Sequence, residues 1–142
     1  MTIQTVLLPV FVQVLLVFIL LFWMAYQRQG AFRRGDTHPR DIALRESNWP
    51  KPAMQAAHSF SNQFELPVLF YVVVILAWIT RKADMAFVIL EWVFVLTRFG
   101  QAYVHNTSNQ VVTRGKIYGV GALALLLMWL ILMVRVLIAA GP

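Results

Sequence analysis

The sequence predicts an all-α integral membrane protein, a four-helix transmembrane bundle formed by one domain over residues 1–142. Of the 142 residues, 60% are hydrophobic, against about 45–50% in a typical soluble domain. The apolar residues form four long runs, and short polar segments separate these runs. Lys and Arg are unevenly distributed among the polar segments, which predicts an orientation in the membrane.

The first span is predicted over residues 5–26, and no charged side chain precedes Arg28. Its run of Leu, Val, Phe and Ile is long enough to cross a membrane, because helix residues rise about 1.5 Å each and the hydrocarbon core is about 30 Å thick. Residues 27–52 contain six Lys and Arg residues together with Gly30, Gly35 and Pro39. They are predicted to form a basic loop on the cytoplasmic side.

The second span is predicted over residues 53–80. Pro67 lies inside this span and removes one backbone hydrogen bond, so the helix should kink near residue 63 and free a carbonyl group for another partner. Arg81 and Lys82 then begin a tight turn.

The third span is predicted over residues 85–105 and the fourth over residues 114–140, with a connection rich in Asn, Ser and Thr between them. Three glycines near the start of the fourth span are expected to permit close helix packing: Gly115, Gly119 and Gly121.

The orientation follows from the Lys and Arg residues outside the membrane core. The first and third connections, with the start of the fourth span, hold eight of them, against two in the middle turn and none in the tails. Lys and Arg in short loops favour the cytoplasm. We therefore expect a multi-pass membrane protein with both termini on the non-cytoplasmic side.

Polar side chains at membrane depth form stripes on three of the predicted spans. Residues three or four apart share one face of a helix. The second span carries Gln55, His58, Asn62 and Glu65, the third carries Glu91, Arg98, Gln101 and His105, and the fourth begins with Arg114 and Tyr118. Arg135, near the outer end of the fourth span, is expected to extend its long side chain to the membrane surface.

The predicted orientation places seven of these residues in the cytoplasmic half of the membrane: His58, Asn62, Glu65, Arg98, His105, Arg114 and Tyr118. One interpretation is structural, with a buried Glu65–Arg98 ion pair and amides that join helices. The other is a polar pocket, open to the cytoplasm, for a small polar and anionic ligand.

The sequence resembles the MAPEG family, the membrane-associated proteins in eicosanoid and glutathione metabolism. The resemblance covers the whole chain and is strongest in the stretches AHSFSNQFELPVLFY, TRFGQAYVHNTSNQVVTRGKIYG and LLLMW. These stretches are similar to a compact bacterial branch of the family, which implies the bacterial inner membrane.

The resemblance implies a homotrimer that holds glutathione as a co-substrate between protomers, in a cavity reached from the cytoplasm. It implies that Asn62 and Glu65 bind the tripeptide, that Arg98 supports it, and that Arg114 and Tyr118 lie close to it. We add His58 and His105 as candidate glutathione-binding residues. Arg114 is the candidate catalytic residue. The implied activity is that of a glutathione transferase or peroxidase on small lipophilic substrates.

Several positions differ from the prostaglandin and glutathione transferase members of that family. His58 and Ser61 stand where those members have arginines, Gln101 and His105 align with their third-helix His and Tyr, and Gly115 replaces a hydroxyl residue. An alternative is therefore a non-catalytic membrane subunit or assembly protein whose polar cluster is structural.

Other classes of function are disfavoured. The chain has no cysteine, which excludes thiolate metal sites and disulfide exchange, and we predict no bound metal. His58 and His105 lie on different helices, which is compatible with axial ligation of a haem. No single helix, however, carries the paired histidine spacing of membrane cytochromes. The net charge of +6 forms no continuous stripe, so we expect membrane lipid rather than nucleic acid as a partner.

Overall fold

The computed structural model describes residues 1–44 and 48–139, and within them the regular structure is helical. The α-helices are α1 (Ile3–Arg33), α2 (Lys51–Ser61), α3 (Leu66–Ile79), α4 (Met85–Asn106) and α5 (Val111–Ile138). α1, α4, α5 and the segment that contains α2 and α3 are each long and apolar enough to cross a membrane. The four predicted spans are thus present, as an all-helical bundle.

The helices extend further than the sequence indicated. α1 continues to Arg33, so the first seven residues of the predicted basic loop are helical. The helix continues because Gln27 and Gly30 are partly buried and Ala31 is buried, so these residues extend the packed face of α1. α5 begins at Val111 and ends at Ile138, and the predicted end of the fourth span at residue 140 lies outside the described residues.

The second span is broken near its middle. α2 ends at Ser61, a single 3-10 turn covers Asn62–Phe64, and Glu65 has φ −98° and ψ −106° before α3 begins. Pro67 lies in the first turn of α3, where a missing N–H costs least. The expected kink near residue 63 is confirmed.

The main apolar core joins α1, α3, α4 and α5. Phe70 of α3 and Phe94 of α4 are fully buried there and stack with their ring centroids 4.7 Å apart. Large apolar side chains also point outward, including Phe22, which is 69% exposed. An outward apolar surface suits a helix bundle whose solvent is lipid.

One of the three glycines at the start of α5 makes a close helix contact. A Cβ atom added at Gly121 would collide with the side-chain oxygen of Thr97 on α4, whereas one added at Gly115 or Gly119 would meet nothing within 4 Å. The packing role predicted for Gly121 is confirmed, whereas Gly115 and Gly119 make no close helix contact within residues 1–44 and 48–139.

The bundle has two distinct ends. The loop end carries residues 34–44 and 48–50 and the connection between α4 and α5, and the turn end carries residues 80–84. At the turn end Arg135 donates hydrogen bonds to the carbonyl oxygen of Lys82 at 2.8 Å and to the carboxylate of Asp84 at 2.6 Å. Arg135, which is predicted to extend to the membrane surface, therefore also connects α5 to the α3–α4 turn.

Candidate functional site

A polar cavity of about 450 Å³ opens near the loop end of the bundle, between α2, α4 and α5. Its lining includes six of the seven residues singled out from the sequence: His58, Asn62, Glu65, His105, Arg114 and Tyr118. The remaining wall is formed by Gln101, Val111 and Gly115. Polar stripes from three helices thus meet in one hollow.

The break in the second span positions two of these residues. Asn62 begins the 3-10 turn and Glu65 ends it, so both project from a segment that is not a continuous α-helix. A hydrogen bond from α1 stabilises the turn: Nε2 of the buried Gln13 donates to Oε1 of Gln63 at 3.0 Å. Gln63 in turn donates to the carbonyl oxygen of Ser59 at 3.1 Å.

Arg98 lies behind the cavity wall and does not line it. Only 2% of the residue is exposed. Its Nη2 donates to the main-chain carbonyl of Asn62 at 3.0 Å, and its Nη1 donates to Oε1 of Gln101 at 2.7 Å. Arg98 therefore connects α4 to the break in the second span and orients two wall residues, and it is the one candidate glutathione-binding residue that does not line the cavity.

The ion pair between Glu65 and Arg98 is not formed. The ion pairs among the described residues join Arg34 to Asp36, Arg40 to Asp41 and Arg135 to Asp84. Nη1 and Nη2 of Arg98 donate to the two oxygen acceptors named above, and its buried Nε has no hydrogen-bond partner among the described residues. The purely structural interpretation therefore loses its central contact.

Arg114 enters the cavity from the first turn of α5. Its Nη1 donates to Oδ1 of Asn109 at 2.6 Å, and Asn109 has a left-handed backbone with φ 51°. Tyr118 lies one turn further along the same face. Arg114 and the N-terminal end of α5 together make this wall electropositive, because a helix N-terminus carries a partial positive charge.

The walls formed by the second span and α4 carry polar atoms that have no hydrogen-bond or ion-pair partner among the described residues. The carboxylate of Glu65 forms no hydrogen bond or ion pair in the described part of the chain, and Glu65 and His58 are exposed in the single protomer. His105 is buried, and its Nδ1 has no hydrogen-bond partner among the described residues. The lining of one cavity thus combines a carboxylate, from Glu65, with an electropositive wall at Arg114.

The polar stripe of α4 divides between two environments. Gln101 and His105 reach the cavity, whereas Glu91 is completely buried among core residues nearer the turn end. Sequence spacing placed all of them on one face, but it could not show that only the end of that face borders a hollow. Val111 was missed because the polar residues around it resemble a loop.

A larger groove of about 770 Å³ lies on another side of α4, where it meets α1. Apolar and aromatic residues form most of its wall, among them Leu20, Trp23, Phe99 and Tyr103. It contains none of the ionisable residues of the polar cavity. The groove therefore provides mainly apolar surface close to α4, and its lining, within the described residues, contains no carboxylate, histidine, lysine or arginine.

The model of the MAPEG family matches residues 6–134 of the chain. This range contains every residue of the polar cavity and nearly all of the four membrane-spanning segments. No curated protein and no solved structure matches the chain.

Proposed function

Because the chain belongs to the MAPEG family, we propose that it binds glutathione in the polar cavity and uses it as a co-substrate on lipophilic molecules. The observation that supports this proposal is the convergence of Asn62, Glu65 and Arg114 on one hollow. Its volume of about 450 Å³ lies within the range of about 300–1,000 Å³ that is usual for small-molecule sites.

The chemistry of the wall matches the charges of the tripeptide. Glutathione carries two carboxylates and an ammonium group besides its thiol. Arg114 and the N-terminal end of α5 suit a carboxylate or a thiolate, since a guanidinium donates paired hydrogen bonds to carboxylate oxygens. The unpaired carboxylate of Glu65 suits the ammonium group, and the amides of Asn62 and Gln101 suit the peptide groups.

The proposed chemical role of Arg114 is to stabilise the thiolate form of bound glutathione. A thiolate is the nucleophilic form of the thiol, and an adjacent cation favours it. In a conjugation by addition the thiolate sulfur forms a bond to the electrophilic carbon of an activated alkene, whose π bond breaks, and the thiol proton passes through water in the open cavity to the neighbouring carbon. In a peroxide reduction two glutathione molecules lose two electrons and two protons to become a disulfide, and a lipid hydroperoxide becomes an alcohol and water.

A homotrimer is part of the proposal. Glu65 and His58 are exposed on the surface of a membrane-spanning segment in the single protomer. Ionisable side chains that face hydrocarbon cost several kcal/mol, so such residues normally face protein or a wet cavity. A neighbouring copy that covers this side would remove Glu65 and His58 from lipid and close the cavity.

Isothermal titration calorimetry of the detergent-purified protein tests the proposal, combined with thiolate absorbance at about 240 nm. We expect saturable heat and a rise in absorbance when glutathione is added. Absence of binding at millimolar glutathione would leave the alternative of a non-catalytic membrane subunit. In that alternative Asn62→Ala and Arg114→Ala change the stability of the oligomer and have no small-molecule phenotype.

A further inference from the structure

A second hollow lies at the turn end of the bundle, far from the polar cavity. It has a volume of about 420 Å³ and lies between the α3–α4 turn and the last turns of α5. Arg81 and Lys82 approach it from the turn, and Arg135 approaches it from α5. Two segments that are distant in the sequence therefore bring three cationic side chains to one place.

Only part of this positive charge is neutralised within the protein. Arg135 donates to the carboxylate of Asp84 at 2.6 Å and to the carbonyl oxygen of Lys82 at 2.8 Å. The side chains of Arg81 and Lys82 form no hydrogen bond or ion pair across residues 1–44 and 48–139. Two positive charges remain available to a ligand.

The backbone of Arg81 is held in a conformation that favours glycine. Arg81 has φ 58°, and it follows the end of α3, where its N–H donates to the carbonyl oxygen of Trp78 at 3.0 Å. The N–H of Lys82 donates to the carbonyl oxygen of Ala77 at 2.9 Å, which completes a common helix-ending motif. Glycine would adopt this backbone without strain, so the arginine side chain is retained at an energetic cost.

An apolar surface lies directly beside the cationic group. Val134 and Ile138 of α5 line the hollow and are 53% and 79% exposed. Both belong to a membrane-spanning helix that ends at Ile138. The cations therefore lie at the level of the lipid headgroups, and the apolar residues lie beside the acyl chains.

We propose that this hollow binds the phosphate of an anionic membrane phospholipid, with an acyl chain along Val134 and Ile138. Arg81 and Lys82 supply the charge, and Arg135 fixes the geometry of the turn. Basic residues at this position also offset the negative C-terminal end of α3. That effect accounts for the charge, but it does not require a strained backbone or a hollow shared with α5.

Native mass spectrometry of protein from nanodiscs containing equal amounts of phosphatidylglycerol and phosphatidylcholine tests the proposal. Wild type should retain phosphatidylglycerol preferentially. The double variant Arg81→Gln/Lys82→Gln should lose this preference by more than about tenfold, because each Lys or Arg near anionic headgroups strengthens the attraction about fivefold. The matched control Arg40→Gln/Lys51→Gln removes the same charge at the loop end and should keep the preference.

The single variant Arg81→Gly separates lipid binding from a structural role. It should bind less phosphatidylglycerol and yet melt at a higher temperature in neutral detergent, because the strained residue has been replaced. An unchanged lipid preference in both Arg81 variants would overturn the proposal. Displacement of the lipid by inorganic phosphate alone would also overturn it, since the hollow would then be a free-anion site.

Discussion

The guanidinium of Arg98 donates from Nη2 to the main-chain carbonyl of Asn62 across 3.0 Å. This contact joins the middle of α4 to the interrupted second span. Arg98 is among the residues that the family resemblance implies for glutathione, yet its guanidinium donates to two oxygens of the protein itself. A buried arginine that holds a broken helix against its neighbour fixes the positions of Asn62 and Gln101 in the cavity wall, so its proposed effect on glutathione binding would pass through these two residues.

Arg98→Lys tests this positioning role. Lysine keeps the charge but cannot reach both acceptors with a planar pair of donors, so a buried acceptor is left unpaired at a cost of about 1–3 kcal/mol. We expect a lower melting temperature and weaker glutathione binding, and Arg40→Lys at an exposed site should change neither. Wild-type affinity in Arg98→Lys would show that Arg98 does not organise the wall.

Glu65→Gln tests the acceptor proposed for the ammonium group. The loss of a charge-assisted hydrogen bond should weaken glutathione binding about tenfold or more. A tripeptide analogue without the amino group should bind both proteins equally, because it never used the carboxylate. Calorimetry with both ligands measures this, and an equal loss for the two ligands would contradict the assignment.

Gly121→Ala tests the close approach of α4 and α5. The new methyl group would collide with the side chain of Thr97, whose hydroxyl donates to the carbonyl oxygen of Phe94 at 2.7 Å. Overpacking of this kind typically costs about 1–3 kcal/mol. Thermal melts should show destabilisation for Gly121→Ala and little change for Gly119→Ala, and Thr97→Ala should rescue the first variant. Equal melting temperatures for Gly121→Ala and Gly119→Ala would contradict the close contact between Gly121 and Thr97.

Asp84 and Arg135 make the turn end sensitive to acid. The hydrogen bond from Arg135, together with one from the N–H of Phe87 at 2.9 Å, lowers the pKa of Asp84 below its ordinary value of 3.8. Because the pKa is lower in the folded state, Asp84 stabilises the fold at pH values above its unfolded-state pKa. This stabilisation is lost as the pH falls through its folded-state pKa. The side chain of Asp84 is 49% exposed, so the contribution is below about 1 kcal/mol.

Melting temperatures of wild type, Asp84→Asn and Arg135→Gln, measured from neutral pH to below pH 4, test this linkage. Asparagine retains an oxygen that can cap α4, so Asp84→Asn isolates the effect of charge. The melting temperature of wild type should exceed that of Asp84→Asn at neutral pH, and the difference should disappear as the solution becomes acidic. A difference between their melting temperatures that stays constant with pH would contradict a contribution from the charge of Asp84.

The spans and the kink were predictable because they depend on local properties of the chain. Runs of apolar residues, and a proline that cannot donate to the preceding turn, act within a few residues. The shared cavity was also predictable in outline, since the spacing from His58 to Glu65 places these residues on one face. The role of Arg98 was not predictable, because it depends on a main-chain carbonyl 36 residues away, whose availability arises from the break.

The position of Glu91 also could not be predicted from the sequence. It shares a helix face with Arg98 and His105, yet it lies fully inside the core, with neither carboxylate oxygen hydrogen-bonded among the described residues. Periodicity gives the direction of a side chain around a helix. It does not show whether a hollow or packed neighbours lie in that direction, which depends on how the other helices pack at that depth.

A structure of the protein determined in lipid nanodiscs with saturating glutathione tests the central proposal most directly. We expect density for the tripeptide in the polar cavity, with its ammonium group at Glu65 and an anionic group at Arg114, and with a second protomer closing the open side. A cavity that stays empty under these conditions, or glutathione bound elsewhere on the bundle, would contradict the proposed function.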